Sequence, residues 1–337
     1  MPRPVPSGSL VAGVAFAVAA AAKEVAIGYQ PIYGPWGVPI VAGRFERETG
    51  YAIKWVKFDS GAKVATALAA GEIQIGVMGS APIAAAASGG AEIALFWILA
   101  EIAAAEALVV REGAGIDPQD PTTLIGKRMA TPFLSTAHFH ALVALESWGI
   151  EAGRVDLIDM QPYRLATAWQ RGEIDAAYVW SPALARIKRS GTVMIDSAVL
   201  AEKGRPTFDG IVAARDWAEK NKEFLAKFVK IVAETVEQYR SDRAAWTAES
   251  PEVEALVRLF GGWPSDVPAA LADYRFSSLE EQASKKWLGG GKESGAARTL
   301  AATAAFLKER GRIDAVPPDF AKLVTSAPVE AALKLAR

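Results

Sequence analysis

Two stretches about a hundred residues apart follow one pattern: VATALAAGEI (Val64–Ile73) and LATAWQRGEI (Leu165–Ile174). Nine residues after the glycine of each copy, Gly71 and Gly172, comes a serine, Ser80 and Ser181, with Pro82 and Pro182 close behind. In both copies a small-residue helix ends at a glycine able to adopt the left-handed conformation, and an apolar run follows. Ser and Pro then stand where an N-cap and first-turn residue start another helix. A helix, strand, helix unit used twice predicts two α/β lobes with matching helix N-termini and a cleft between them. Helix N-termini favour a small anion in such a cleft.

A chain of 337 residues, 51% of them apolar, can bury two cores of ordinary size. A net charge of −1 with no basic run gives no attraction to nucleic acid or anionic membranes. The absence of cysteine rules out disulfides, thiolate metal sites, cysteine nucleophiles and the acylated cysteine of a bacterial lipoprotein. At the N-terminus, Leu10–Ala22 is an apolar run too short to span a bilayer, preceded by Arg3 and ending in the small residues Ala20, Ala21 and Ala22. Residues 1–22 therefore read as a secretory signal, with the mature chain starting near Lys23. Together these features imply a soluble, unlipidated product in a Gram-negative periplasm.

Strands alternate with helices along the chain, as in sheets covered by helices. The first lobe is expected over 23–110, with a strand at Glu24–Tyr29, the loop QPIYGPWG, one helix over Pro39–Thr49 and later strands up to Ala107–Arg111. The Gly-, Asp- and Pro-rich segment Gly113–Pro121 marks the first crossing between lobes. A second lobe over 111–210 repeats the alternation. TFDGIVAAR (Thr207–Arg215) then returns the chain to the first lobe, on which the helical, apparently strandless tail (211–337) packs. Two crossings make a hinge able to close around a ligand.

Three junctions follow apolar strands and place a hydroxyl beside free backbone N–H groups: Asp59-Ser60-Gly61, Gly79-Ser80-Ala81 and Leu134-Ser135-Thr136. Each is by itself an ordinary helix cap. All three fall beyond carboxyl ends of strands, where α/β folds bind ligands. Neutral donors of this kind suit a sulfonate, nitrate or carboxylate. Asp209, at the return crossing, is the preferred partner for an ammonium group, while Glu106 reads as an interlobe structural carboxylate. Tyr33, Trp36 and Trp180 are candidate aromatic walls able to meet an alkylammonium; Trp148, Trp169 and Trp217 read as packing. His138 can reach the cleft from a helix first turn, and His140 cannot join it in chelating a metal at a spacing of two. The sequence holds no nucleophile elbow and no phosphate-binding loop, and it calls for neither metal nor cofactor.

The runs FDSGAKVATALAAGEIQIGVMGSAPIAAAAS, AEALVV, TPFLSTAHFHALVALESWGI, TAWQRGEIDAAYVWSPAL and TFDGIVA, with DVPAAL and TAAFLKERGRI near the C-terminus, resemble the substrate-binding proteins of taurine ABC transporters. The wider family includes alkanesulfonate and nitrate binders. The resemblance implies a two-lobed periplasmic-binding-protein fold of type II, working as a monomer that delivers a small sulfonate to a permease with its ATPase. It implies that Ser60, Ser80, Ala81, Ser135 and Thr136 hold the sulfonate and that Asp209 answers the amine; from their own positions Asp59, Glu106 and His138 are expected behind them. In the loop after Tyr29-Gln30 this chain carries PIYGPWG, departing from the acidic enterobacterial version. Binding of unsubstituted alkanesulfonates is the alternative within the same class. The thiamin-pyrimidine synthases, which the family also resembles, are the enzymatic alternative; they call for reactive side chains that a cysteine-free chain with two histidines offers poorly.

Overall fold

The computed structural model describes residues 23–335; the expected signal segment 1–22 lies outside them. Among the described residues eleven strands form two sheets. β1 (Lys23–Tyr29), β2 (Tyr51–Lys57), β3 (Ile75–Gly79), β4 (Ile93–Ile102), β10 (Thr207–Ala214) and β11 (Tyr274–Arg275) make one, in the order β11-β4-β10-β3-β1-β2. β5 (Glu106–Arg111), β6 (Arg128–Thr131), β7 (Asp156–Asp159), β8 (Ala176–Trp180) and β9 (Gly191–Asp196) make the other, in the order β7-β6-β8-β5-β9. Apart from β11 the two orders are equivalent. In each, three strands wind as second, first, third, and the strand that arrives from the other lobe inserts beside the third, antiparallel to it. This is the type II arrangement expected from the resemblance.

The repeated sequences occupy equivalent places. The helix α3 (Gly61–Ala69) leads to β3 and α4 (Ser80–Ser88), and α6 (Pro162–Gln170) leads to β8 and α7 (Ala183–Ile187). Both helices end before a left-handed glycine, Gly71 at φ 72° and Gly172 at φ 69°, as the shared pattern requires. Both third strands, IGVMG and AAYVW, are buried throughout, so they run through the middle of their lobes. The copies diverge after those strands. Gly79 is the N-cap of α4 and Ser80 its first residue, whereas the Ser181–Pro182 peptide is cis and α7 has only five residues.

Other expectations are corrected. β5 pairs with β8 and β9, so the chain has already crossed by Glu106, within residues 103–105. The Gly-, Asp- and Pro-rich segment is a surface turn beyond it; Ala103, Ala104 and Ala105 gave no punctuation to mark the true crossing. The helix expected over Pro39–Thr49 is two helices, α1 (Gly37–Val41) and α2 (Arg44–Thr49), parted at Gly43 with φ 59°. The tail contains one strand after all, β11, which pairs with the edge of β4. Otherwise the tail is helical and packs on the first lobe, with Phe228 of its long helix Lys222–Ser241 stacked on Phe45.

Candidate functional site

Three helix starts converge on one chamber between the lobes. Gly61, at the start of α3, Gly79 and Pro82, around the start of α4, and Ser135 and Thr136, at the start of α5 (Thr136–Ser147), line it together with Gln30, Ile32, Glu106, Trp180 and Asp209. Its free space is about 230 Å³, open rim included. No lysine or arginine lines it. The donors facing an anion here are neutral: first-turn N–H groups, which have no acceptor within their own helix, and hydroxyls.

The hydroxyls differ in availability. Ser60 is fully buried at an extended N-cap position, and its Oγ has no hydrogen-bond partner. Ser80 Oγ accepts weakly from the Phe208 N–H at 3.4 Å and keeps its own proton free. Ser135 is occupied: it donates to the Pro132 carbonyl at 2.6 Å and accepts from the His138 N–H at 3.1 Å. Thr136 donates to Glu106 Oε1 at 2.6 Å. The α5 start therefore offers an anion its backbone, and the hydroxyl roles expected of Ser135 and Thr136 are taken by the protein itself. Ala81 lies buried in the first turn of α4, where it contributes an N–H.

Two carboxylates face the same space. Asp209 stands opposite Gly79 across the β10–β3 ladder, and Glu106 opposite Trp180 across the β5–β8 ladder. Both are almost completely buried. Burial pushes the Asp209 carboxyl up to about 7. Burial also pushes Glu106 up to about 8, opposed by the Thr136 hydrogen bond and reinforced by the Asp209 charge. Glu106 Oε2 has no partner. Glu106 is thus more than the backbone-bonded structural carboxylate that its sequence position suggests: it lines the chamber and bonds a side chain.

Of the other expected residues, Trp180 lines the chamber and donates its Nε1–H to the Pro31 carbonyl, in the opposite lobe, at 3.0 Å. Tyr33 and Trp36 do not line it. Tyr33 turns its hydroxyl to the Gly261 carbonyl at 2.7 Å, and Trp36 is buried among Tyr29, Trp55 and Phe260. An apolar loop of this composition is drawn into the first-lobe core. Asp59 is exposed and lines an outer cleft between the lobes. His138 sits behind the site. Its Nδ1 accepts from the N–H of Leu134, a residue held in the left-handed region at φ 60°, and its ring stacks on Phe133. It thereby braces the turn that aims α5. His140 is buried in a closed chain: Nε2–H donates to the Arg205 carbonyl at 2.8 Å, and Nδ1 accepts from Ser197 at 2.6 Å. Burial lowers both histidines to about 4, with Arg312 adding to the effect at His138. Among the described residues no group of three His, Asp or Glu side chains is placed to hold a metal.

Gln30 was missed by sequence reasoning. It is buried at the carboxyl end of β1 with Oε1 unpartnered, and its position just beyond a strand end, like that of the three junctions, was the available signal.

The lobes are shut over this chamber. Besides the Trp180–Pro31 bond, Arg189 grips both oxygens of Asp266 at 2.8 and 3.0 Å and lies 3.7 Å above the Trp263 ring. Arg310 pairs with Glu146 at 2.7 Å, and Phe306 meets Phe139 edge to face. These contacts all join the tail or first-lobe loops to the second lobe.

Residues 45–242 match the family model described as NMT1/THI5 like. The chain belongs to the NMT1/THI5-like family. Among its relatives, the taurine-binding periplasmic protein of Escherichia coli K12 is 37% identical over 319 residues, covering 94% of this chain and 97% of that protein. A putative aliphatic sulfonates-binding protein of the same organism is 28% identical over 77% of this chain and 79% of its own length. Among solved structures, the alkanesulfonate-binding protein SsuA from Xanthomonas axonopodis pv. citri, bound to MOPS, superposes with a TM-score of 0.69 at 20% identity, over 92% of this chain and 99% of that one. This NMT1/THI5-like chain therefore has the periplasmic-binding-protein fold.

Proposed function

We propose that this chain captures taurine, 2-aminoethanesulfonate, in the periplasm and delivers it to an ABC permease with its ATPase, after removal of residues 1–22 and without a lipid anchor. One observation carries the reading. Two buried carboxylates with no cationic partner share a chamber with the starts of three helices, and of these only the α5 start touches a carboxylate, through the Thr136 hydroxyl. An ammonium answers the first and a sulfonate the second, and taurine joins both through two carbons. The 37% identical taurine-binding relative supports the same ligand. Ser60, Ser80 and the first-turn amides of α3, α4 and α5 take the sulfonate; Asp209, with Glu106, takes the amine.

The protein acts by binding alone and as a monomer. His140 is committed through both ring nitrogens, His138 spends Nδ1 on the turn before α5, and among the described residues the chamber holds no positioned nucleophile, which supports transport over catalysis. Binding of unsubstituted alkanesulfonates is favoured only to the extent that Asp209 and Glu106 hold protons, which leaves the chamber able to accept a neutral tail.

Taurine has seven heavy atoms, so a ceiling of about 1.5 kcal/mol per atom allows about 10 kcal/mol of binding free energy. That corresponds to a Kd of roughly tens of nanomolar. Calorimetry is expected to give a taurine Kd in the micromolar range or tighter. Heat with another sulfonate and none with taurine overturns the assignment.

A further inference from the structure

Trp180 belongs to two cavities at once. One is the inner chamber; the other is the outer cleft between the lobes, lined by Pro31, Lys57, Asp59, Tyr163, Trp263 and their neighbours, with about 1290 Å³ of free space, open rim included. No other residue lines both. The indole closes the gap between them by donating to Pro31, which lines the outer cleft while its neighbours Gln30 and Ile32 line the inner chamber. The partition therefore takes one residue from each lobe and exists only when the lobes are shut. Trp180 also stands directly across the ladder from Glu106, so the wall is at the carboxylate side of the chamber.

We infer that Trp180 fixes the length of the ligand: it is the wall against which the ammonium end stops, and it bars substituents on that nitrogen from the larger cleft outside. This rests on the taurine reading and adds to it a steric limit. A hydrophobic pocket discriminates poorly against one extra methylene through lost contacts alone, whereas a rigid buried wall rejects a bulky group outright. Beyond the wall the cleft is lined by Pro182, Ala183 and the half-exposed ring of Trp263, surfaces that accept an alkyl or cycloalkyl group.

The test is calorimetry on the full chain with two ligand pairs, taurine against N-cyclohexyltaurine and ethanesulfonate against hexanesulfonate, for wild type, W180A, W180L and W180F. Wild type is expected to prefer the small member of each pair by at least a hundredfold. W180A, or W180L if the deeper truncation compromises folding, is expected to narrow that preference at least tenfold by admitting the large member. W180F keeps a ring in the gap without its donor and is expected to retain the rejection. An unchanged preference in both W180A and W180L, or a wild type that binds both members of a pair equally, overturns the wall. A wild type that binds ethanesulfonate but not taurine overturns the taurine reading alone, and the alkyl pair still reports on Trp180.

Discussion

Replacing Asp209 by asparagine keeps the side-chain volume and removes the charge that an ammonium would meet. A hydrogen bond to a charged group contributes roughly 1.5–3 kcal/mol, so D209N is expected to weaken taurine by roughly 10- to 150-fold. Ethanesulfonate, which lacks the amine, should lose little or gain. The raised pKa supplies a second, independent signature. A carboxyl at about 7 is about nine-tenths protonated at pH 6, and it must release that proton to meet a cation. Taurine affinity is therefore expected to rise by up to tenfold per pH unit from pH 5.5 towards 7, with a further contribution from Glu106, whose carboxyl at about 8 titrates together with Asp209. The sulfonate stays ionised throughout, so ethanesulfonate should show the opposite slope, since ionised carboxylates repel it. Ligand-free stability runs the opposite way to taurine affinity. An acid held above its unfolded value binds its proton more tightly in the folded state, so the ligand-free protein should lose stability as pH rises from about 4 to about 8. Calorimetry at pH 5.5, 6.5 and 7.5 with both ligands, on wild type and D209N, measures all of this. A taurine affinity flat across that range, or equal losses of both ligands in D209N, refutes the reasoning.

Two further outcomes follow from the closed lobes. A Cβ on Gly79 would sit 2.7 Å from Thr136 Cγ2 and 3.5 Å from Asp209 Oδ1. G79A should therefore wedge the lobes apart and weaken taurine by roughly tenfold or more, with little change in the ligand-free melting temperature; unchanged affinity counts against a site that needs this closure. R189A removes a partly exposed ion pair and a cation–π contact together worth about 1 kcal/mol after screening, roughly a fivefold shift in the open–closed balance. X-ray scattering of the ligand-free variant should show a larger radius of gyration than wild type, and an identical radius removes Arg189 from the latch.

The duplicated pattern made the architecture readable because Gly71 and Gly172 are constrained locally: each ends a helix through its own backbone, and no distant contact is needed to see it. The three junctions were legible for the same reason, and they do meet. Decisions that depend on which partner a side chain finds in the folded chain were not. Whether Ser135 and Thr136 spend their hydroxyls on the protein turns on Pro132, His138 and Glu106, the last from a strand assigned to the other lobe. Tyr33 and Trp36 looked like cleft walls in a loop. Phe260 and Gly261, more than two hundred residues later, draw them inward. The first crossing was misplaced because three alanines carry no turn signal, while glycine and proline nearby carry a strong one.

Glu106 is the first residue of the strand that follows one crossing, and Asp209 is the third residue of the strand that follows the other. Each acid is thus mounted at the pivot of the molecule. When the halves swing, the spacing of the two negative groups changes with the angle, so the fit of a cation between them and the degree of shutting are one mechanical variable.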